Sequence, residues 1–133
     1  MLLIADDLWA ILTIWQEARG ESYEGKLAVA RVIRNRMRLK YASDGTAAGT
    51  VLLPYQFSGW NSKGGDRLHA AKINSDDPVV KDCTQAWLAS VIKDPGIGNA
   101  VLYYNPHAVP TIPAWAVEVK RVTTIGKHIF FNG

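Results

Sequence analysis

A chain of 133 residues, 48% hydrophobic and 20% charged, is long enough to bury one real core and has the composition of an ordinary globular protein. Its net charge of +3 favours anionic partners without choosing among cell-wall polymers, membranes and nucleic acid, and its single cysteine, Cys83, excludes an internal disulfide. No apolar run reaches the ~18 residues of a membrane-spanning helix, so no stable membrane insertion is expected, and the short apolar start lacks the basic flank and cleavage site of a signal peptide.

The first helix is expected over about Asp7 to Ala18, with Asp6 or Asp7 as N-cap and Leu8, Ile11, Leu12 and Trp15 as the buried stripe. Gly20 ends it. Glu17 falls in the last turn, where desolvation and the negative end of the helix dipole both act against an anion and raise a carboxyl pKa. A raised pKa suits a general acid near neutral pH. Glu21 lies past the break.

Ser22 caps a second helix over about Tyr23 to Leu39, with Leu27, Ala30, Ile33 and Met37 as its apolar stripe. Lys26, Arg31, Arg34, Arg36, Arg38 and Lys40 make it strongly basic, which reads first as a solvated face and second as support for an acidic site or an anionic polymer. Asn35 interrupts the apolar run and is expected to bond to a loop backbone.

From Tyr41 to Ile73 periodicity fades among Gly45, Gly49, Gly59, Gly64, Gly65 and Pro54, with a short helical turn or extended piece at Thr50–Leu53. Long irregular regions in small domains are often functional. Gln56, Phe57, Ser58 and Trp60 combine amide, hydroxyl and aromatic groups suited to a sugar-binding wall; the structural alternative is a loop pinned to the core by Phe57 and Trp60. A third helix follows from Asp77-Pro78 to Lys93, burying Cys83, which reads as a small core hydrophobe. Strands are expected at Ala100–Tyr104, Val117–Thr124 and Lys127–Phe131, with a turn at Asn105-Pro106-His107. Without repeats or a linker, residues 1–133 read as a single α+β domain.

Three scattered histidines (His69, His107, His128) form no metal-ligand motif, and no cofactor fingerprint or serine nucleophile elbow is present. Acid/base chemistry on a carboxylate remains. By itself a glutamate at a helix end is weak evidence, because most are solvated.

The string Glu17-Ala18-Arg19-Gly20-Glu21, then Gly25-Lys26-Leu27-Ala28-Val29-Ala30 and Val32-Ile33-Arg34-Asn35-Arg36, resembles the opening of the SleB-type cell wall hydrolases (E-A-R-G-E, a G-x-x-A-V-A-like run, V-I-x-N-R). Gln56–Trp60, Tyr104-Asn105-Pro106, Trp115 and Ile125–Phe130 resemble later landmarks of that family, so the likeness runs in order through nearly the whole chain. The resemblance implies a lysozyme-like, transglycosylase-type fold, mainly helical with a small C-terminal antiparallel sheet. It implies a lytic transglycosylase that cleaves the MurNAc–GlcNAc bond of peptidoglycan with Glu17 as the single acid/base and leaves anhydro-MurNAc ends. Glu17 is then the catalytic residue, Gln56, Phe57, Ser58, Trp60, Tyr104, Asn105, Trp115 and His128 contact substrate, and Arg19 and Glu21 support the site.

Were Glu21, Asp44 or Asp66 to position a water, the same scaffold would be a hydrolytic muramidase. A basic, non-enzymatic binding module leaning on Arg31, Arg34, Arg36 and Arg38 is the reading from another class. The expected partner is the glycan strand of peptidoglycan, with no nucleic acid, no cofactor and no metal, bound by a monomer. The bare domain without an export signal suggests a phage endolysin, made in the host cytoplasm and acting on the wall after release.

Overall fold

The computed structural model describes residues 3–61 and 74–133; the sequence readings that concern Asp66 and His69 fall outside them. The elements are α1 (Ala5–Ala18), α2 (Tyr23–Leu39), α3 (Ala47–Val51), α4 (Ser58–Asn61), α5 (Pro78–Ala89), β1 (Leu102–Tyr104), a 3-10 helix (Ala114–Val117), β2 (Arg121–Ile125) and β3 (His128–Phe131). α1, α2 and α5 each pack against the other two, and α3 rests on α1 and α2. The sheet is antiparallel in the order β1-β3-β2, so the last strand in sequence is the central one.

Helix α2 explains how helices and sheet share one core. Its small and β-branched residues face two ways. Val29, Ala30 and Ile33 join Ala10, Ile11, Ile14 and Ala18 of α1, Cys83 and Trp87 of α5, and Phe57. Ala28 and Val32 join Ile97, Ala100 and Phe130 on the sheet side. An apolar helix face this wide is what burial on two sides requires. Among the described residues no helix is long and apolar enough to cross a membrane.

The N-termini depart from expectation. α1 begins at Ala5, with the backbone of Ile4 at the N-cap, so neither Asp6 nor Asp7 caps by position. Asp7 accepts from Ile4 N–H at 3.2 Å and from the Trp87 indole at 2.9 Å. Asp6 reaches across to α3 and accepts from Ala47 and Ala48 N–H at 2.9 and 2.8 Å, capping that helix from outside. Of the expected α1 stripe only Ile11 is buried; Leu8 is exposed and Leu12 and Trp15 are half-buried, while Ala10, Ile14 and Ala18 are buried as well.

α2 is capped as expected by Ser22, which accepts from Gly25 N–H. α5 stops at Ala89 rather than Lys93, and the stretch expected to be one strand over Val117–Thr124 divides into the 3-10 helix and β2.

Candidate active site

Glu17 sits half-buried in the last turn of α1. The hydroxyl of Tyr103, on β1 and 86 residues away in sequence, donates to its Oε1 at 2.7 Å. Burial pushes the Tyr103 phenol well above its ordinary range, and the Glu17 carboxylate adds to this. Tyr103 therefore stays a protonated donor at all physiological pH. Its ring is fixed edge-on against His128 at 4.9 Å and packed on Phe130 at 5.6 Å.

The polar residues of α2 put β1 where Tyr103 can make that bond. Asn35 Nδ2 donates to the carbonyls of Gly98 and Ala100 at 2.8 and 2.9 Å, the loop-backbone bonding expected of it. Arg36 Nε donates to Val101 O at 2.7 Å. Asp94 gathers the N–H groups of Gly96, Ile97 and Gly98 just upstream. The bonds to Ala100 and Val101 are buried, which makes them costly to break. The Asn35-Arg36 pair thus fixes the approach to β1, and β1 delivers Tyr103 to Glu17.

Glu21 has a different setting. Its Oε1 accepts from Lys127 N–H at 2.9 Å in the β2–β3 turn and lies 3.3 Å from His128 Nδ1, although that contact lacks hydrogen-bond alignment. Burial holds the His128 pKa below its ordinary value, partly offset by Glu21, so the ring is neutral at pH 7. Two glycines make room for this carboxylate. A Cβ on Gly126, which has φ 57°, would stand 2.8 Å from Glu21 Oε1, and one on Gly25 would stand 2.8 Å from Glu21 Cβ. The Glu21 carbonyl in turn accepts from the buried Lys26 ammonium, which also faces Asp82 at 3.5 Å. Glu21 is a strut between the helix junction and the hairpin.

A cleft of ≈ 340 Å³ opens over Glu17. Of the residues singled out from sequence, Arg19, Glu21, Asn105 and His128 border it with Glu17; Gln16 and Lys127 border it as well and were missed. Arg19 is exposed and stacks its guanidinium over Trp15 at 4.5 Å. Asn105 Oδ1 accepts from His107 N–H, forming the expected turn. Gly20 borders the cleft too, but it ends α1 without a positive φ.

A second hollow of ≈ 310 Å³ is bordered by Arg36, Tyr41, Tyr55, Gln56, Tyr103 and Trp115. The Tyr103–Glu17 hydrogen bond joins a residue of the second hollow to one of the first.

The aromatic part of the proposed sugar wall faces the other way. Phe57 is 1% exposed, inside the core, so it has no face left for a ligand. Trp60 packs edge-on against Trp9 and donates its indole N–H to Thr13 at 2.9 Å. The loop is pinned to the core by these two rings, as the structural alternative held. Ser58 is exposed at the start of α4 and borders neither hollow. Tyr104 stacks on Phe131 and meets Trp115 edge-on, bordering a smaller depression away from Glu17.

The basic helix is not a solvated face. Lys26 and Arg36 are buried. Arg31 and Arg34 donate to the Ser90 and Trp87 carbonyls at the C-terminal end of α5, and Arg34 also stacks on Trp87 at 3.6 Å. Cations at that end offset the helix dipole. Only Arg38 is exposed among the four arginines, and it holds Asn99. Cys83 is buried and its thiol is pushed up to about 12, mainly by burial, which leaves it inert. Asp44 is committed to Thr46 N–H and hydroxyl. Among the described residues no group of three or more His, Cys, Asp or Glu side chains is placed to hold a metal.

Comparison with known proteins follows this geometry. The cell wall hydrolase family profile matches residues 20–131, a span that begins just after Glu17 and includes Glu21, Tyr103 and His128. Spore cortex-lytic enzymes of Oceanobacillus iheyensis and Bacillus subtilis are 32% and 30% identical over 88% of this chain. The chain spans 38% and 34% of the length of those two relatives. Among solved structures, the catalytic domain of the germination-specific lytic transglycosylase SleB from Bacillus anthracis superposes with a TM-score of 0.75 at 25% identity, covering 98% of this chain and 97% of that one. The catalytic domain of the Bacillus cereus SleB protein gives 0.74 at 25% identity, covering 98% and 93%.

Proposed function

The chain belongs to the cell wall hydrolase family, in its SleB-type branch, and from that premise we propose that it cleaves the MurNAc–GlcNAc bond of peptidoglycan as a lytic transglycosylase with Glu17 as acid and base. The observation that carries this reading is the carboxylate of Glu17 in the cleft, oriented by the buried Tyr103 hydroxyl at 2.7 Å. The other carboxylates weighed for a two-carboxylate mechanism are occupied or undescribed. Glu21 is tied to the hairpin, Asp44 to Thr46, and Asp66 lies outside the described residues.

One carboxyl group suffices when the nucleophile belongs to the substrate. Glu17 enters as the acid and gives its proton to the glycosidic oxygen as the C1–O bond breaks. The GlcNAc portion leaves as an alcohol. The carboxylate then takes the proton of the C6 hydroxyl of the same MurNAc, whose oxygen closes on C1 to form the 1,6-anhydro ring. Glu17 is again protonated, and no water is consumed. Holding C6 and C1 in one ring gives the intramolecular step its advantage over attack by solvent, and the proton transfers contribute about 10²–10⁴-fold. A bordered cleft and a donor from the sheet set Glu17 apart from a surface glutamate.

The basic binding module loses its support, because Arg31, Arg34 and Arg36 are engaged with the protein's own carbonyls. The deciding experiment is digestion of purified peptidoglycan by wild type and by Glu17→Gln, followed by mass spectrometry of the products. Anhydro-muramic ends from the wild type and none from the variant are expected. Reducing muramic ends would make the protein a hydrolytic muramidase, and equal activity of the two proteins would remove Glu17 from the mechanism.

A further inference from the structure

The second hollow has a floor unlike the first. Arg36 is 4% exposed, and no carboxylate among the described residues stands in ion-pair contact with it. Its Nε is committed to Val101 O, and its Nη1 donates to the Gln56 amide oxygen at 3.1 Å. The Phe57 ring lies 4.9 Å beneath it and Tyr41 5.8 Å to the side. A guanidinium this far from water, bonded to neutral oxygens and offset only at a distance by the Glu17 carboxylate, leaves a positive potential in the hollow above it. Around the rim stand Tyr41, Tyr55, Tyr103 and Trp115, flat apolar surfaces of the kind that cover a pyranose face. Tyr55 is 88% exposed at the mouth.

We propose that this hollow is a subsite for a carboxylate-bearing hexosamine, which the aromatic rim receives by its ring and Arg36 by its charge. The inference rests on the peptidoglycan reading for the choice of sugar. In peptidoglycan the two alternating sugars differ by one substituent, the lactyl ether of the muramyl unit, which carries either its own carboxylate or a stem peptide with carboxylates. A cation in a hollow adjoining the acid through Tyr103 tells the two sugars apart, and so sets the register in which the strand is laid across Glu17. A neutral amide at position 56 fits this task. It holds the guanidinium in place without neutralising it, leaving the charge for the ligand.

The test uses Gln56→Glu, nearly the same shape, which puts a carboxylate on Nη1 and closes the charge from within. Wild type and variant are titrated with N-acetylmuramic acid, N-acetylglucosamine and muramyl dipeptide at low and high salt, following the Trp115 indole resonance. The wild type is expected to bind N-acetylmuramic acid about tenfold more tightly than N-acetylglucosamine, with the preference shrinking in salt and vanishing in Gln56→Glu. Preference for the free acid alone assigns the lactyl carboxylate; preference for the dipeptide as well assigns carboxylates of the stem. Equal binding of the two monosaccharides by wild type, or a preference that survives Gln56→Glu with the fold intact, overturns the proposal. If the variant's thermal midpoint falls sharply, the wild-type salt dependence decides alone. Peptidoglycan cleavage is measured in parallel. Cleavage without the preference sinks only this inference, whereas the preference without cleavage leaves the subsite and removes the enzyme.

Discussion

The last turn of α1 and the junction leading into α2 each carry a glutamate, four residues apart, and their surroundings give them opposite work. Glu17 borders open space and is touched by a hydroxyl from the sheet. Glu21 is wedged over two glycines and spent on a backbone N–H of the hairpin. One is held so that it can act on something else; the other is consumed in holding. Two carboxylates near a cleft do not make a two-carboxylate mechanism. What decides is the group each one meets, a sheet hydroxyl for Glu17 and a hairpin N–H for Glu21.

The comparison predicts a double dissociation. Glu17→Gln is expected to lower peptidoglycan cleavage by at least ~10²-fold while leaving the thermal midpoint unchanged, read by turbidity and by scanning calorimetry on the same preparation. A loss of stability equal to that of a core mutant would collapse the contrast. Tyr103→Phe removes the donor to Glu17 and nothing of the ring packing. Cleavage should fall about tenfold, chiefly in kcat, the value of one charge-assisted hydrogen bond. Glu21→Ala should do the reverse of Glu17→Gln. It is expected to lose about 1–2 kcal/mol in urea unfolding through the lost strut, with residual activity following the folded fraction.

The smallest effect is in pH. His128 has a lowered folded pKa, while an unfolded histidine titrates near ~6.5. Between those values the unfolded chain binds the proton and the folded chain does not, so acid favours unfolding. Stability is therefore full above pH ~6.5 and falls as the pH drops through the folded value, by at most ~1.4 kcal/mol per unit. His128→Gln should flatten that part of a midpoint-against-pH curve. A curve that keeps its slope would place the titration elsewhere.

Helix existence, the Ser22 cap and the position of Glu17 at a helix end were readable, because each depends on neighbours within a few positions; Asn35 was readable as a polar break in an apolar stripe, although its partners Gly98 and Ala100 lie far along the chain. Tyr103 was not. The expected strand contained both Tyr103 and Tyr104, and adjacent strand residues face opposite sides. Which one meets Glu17 depends on pairing with β3, where Tyr103 stands opposite Phe130. A usable signal existed in the alternation of Val101 and Tyr103 against that of His128 and Phe130, which place one apolar face on each strand. The arginines of α2 were misjudged for a related reason. Charge content describes a side chain, whereas its use depends on the carbonyls brought near it, and Ser90, Trp87 and Val101 are more than fifty positions away.

The strand order has a consequence for Tyr103. β1 and β2 do not pair with each other; both pair with β3, which follows them in the chain. Without residues 128–131, β1 has no strand partner and Tyr103 has neither His128 nor Phe130 behind it. Loss of residues 128–131 would remove that support while leaving every residue of the opening motif in place.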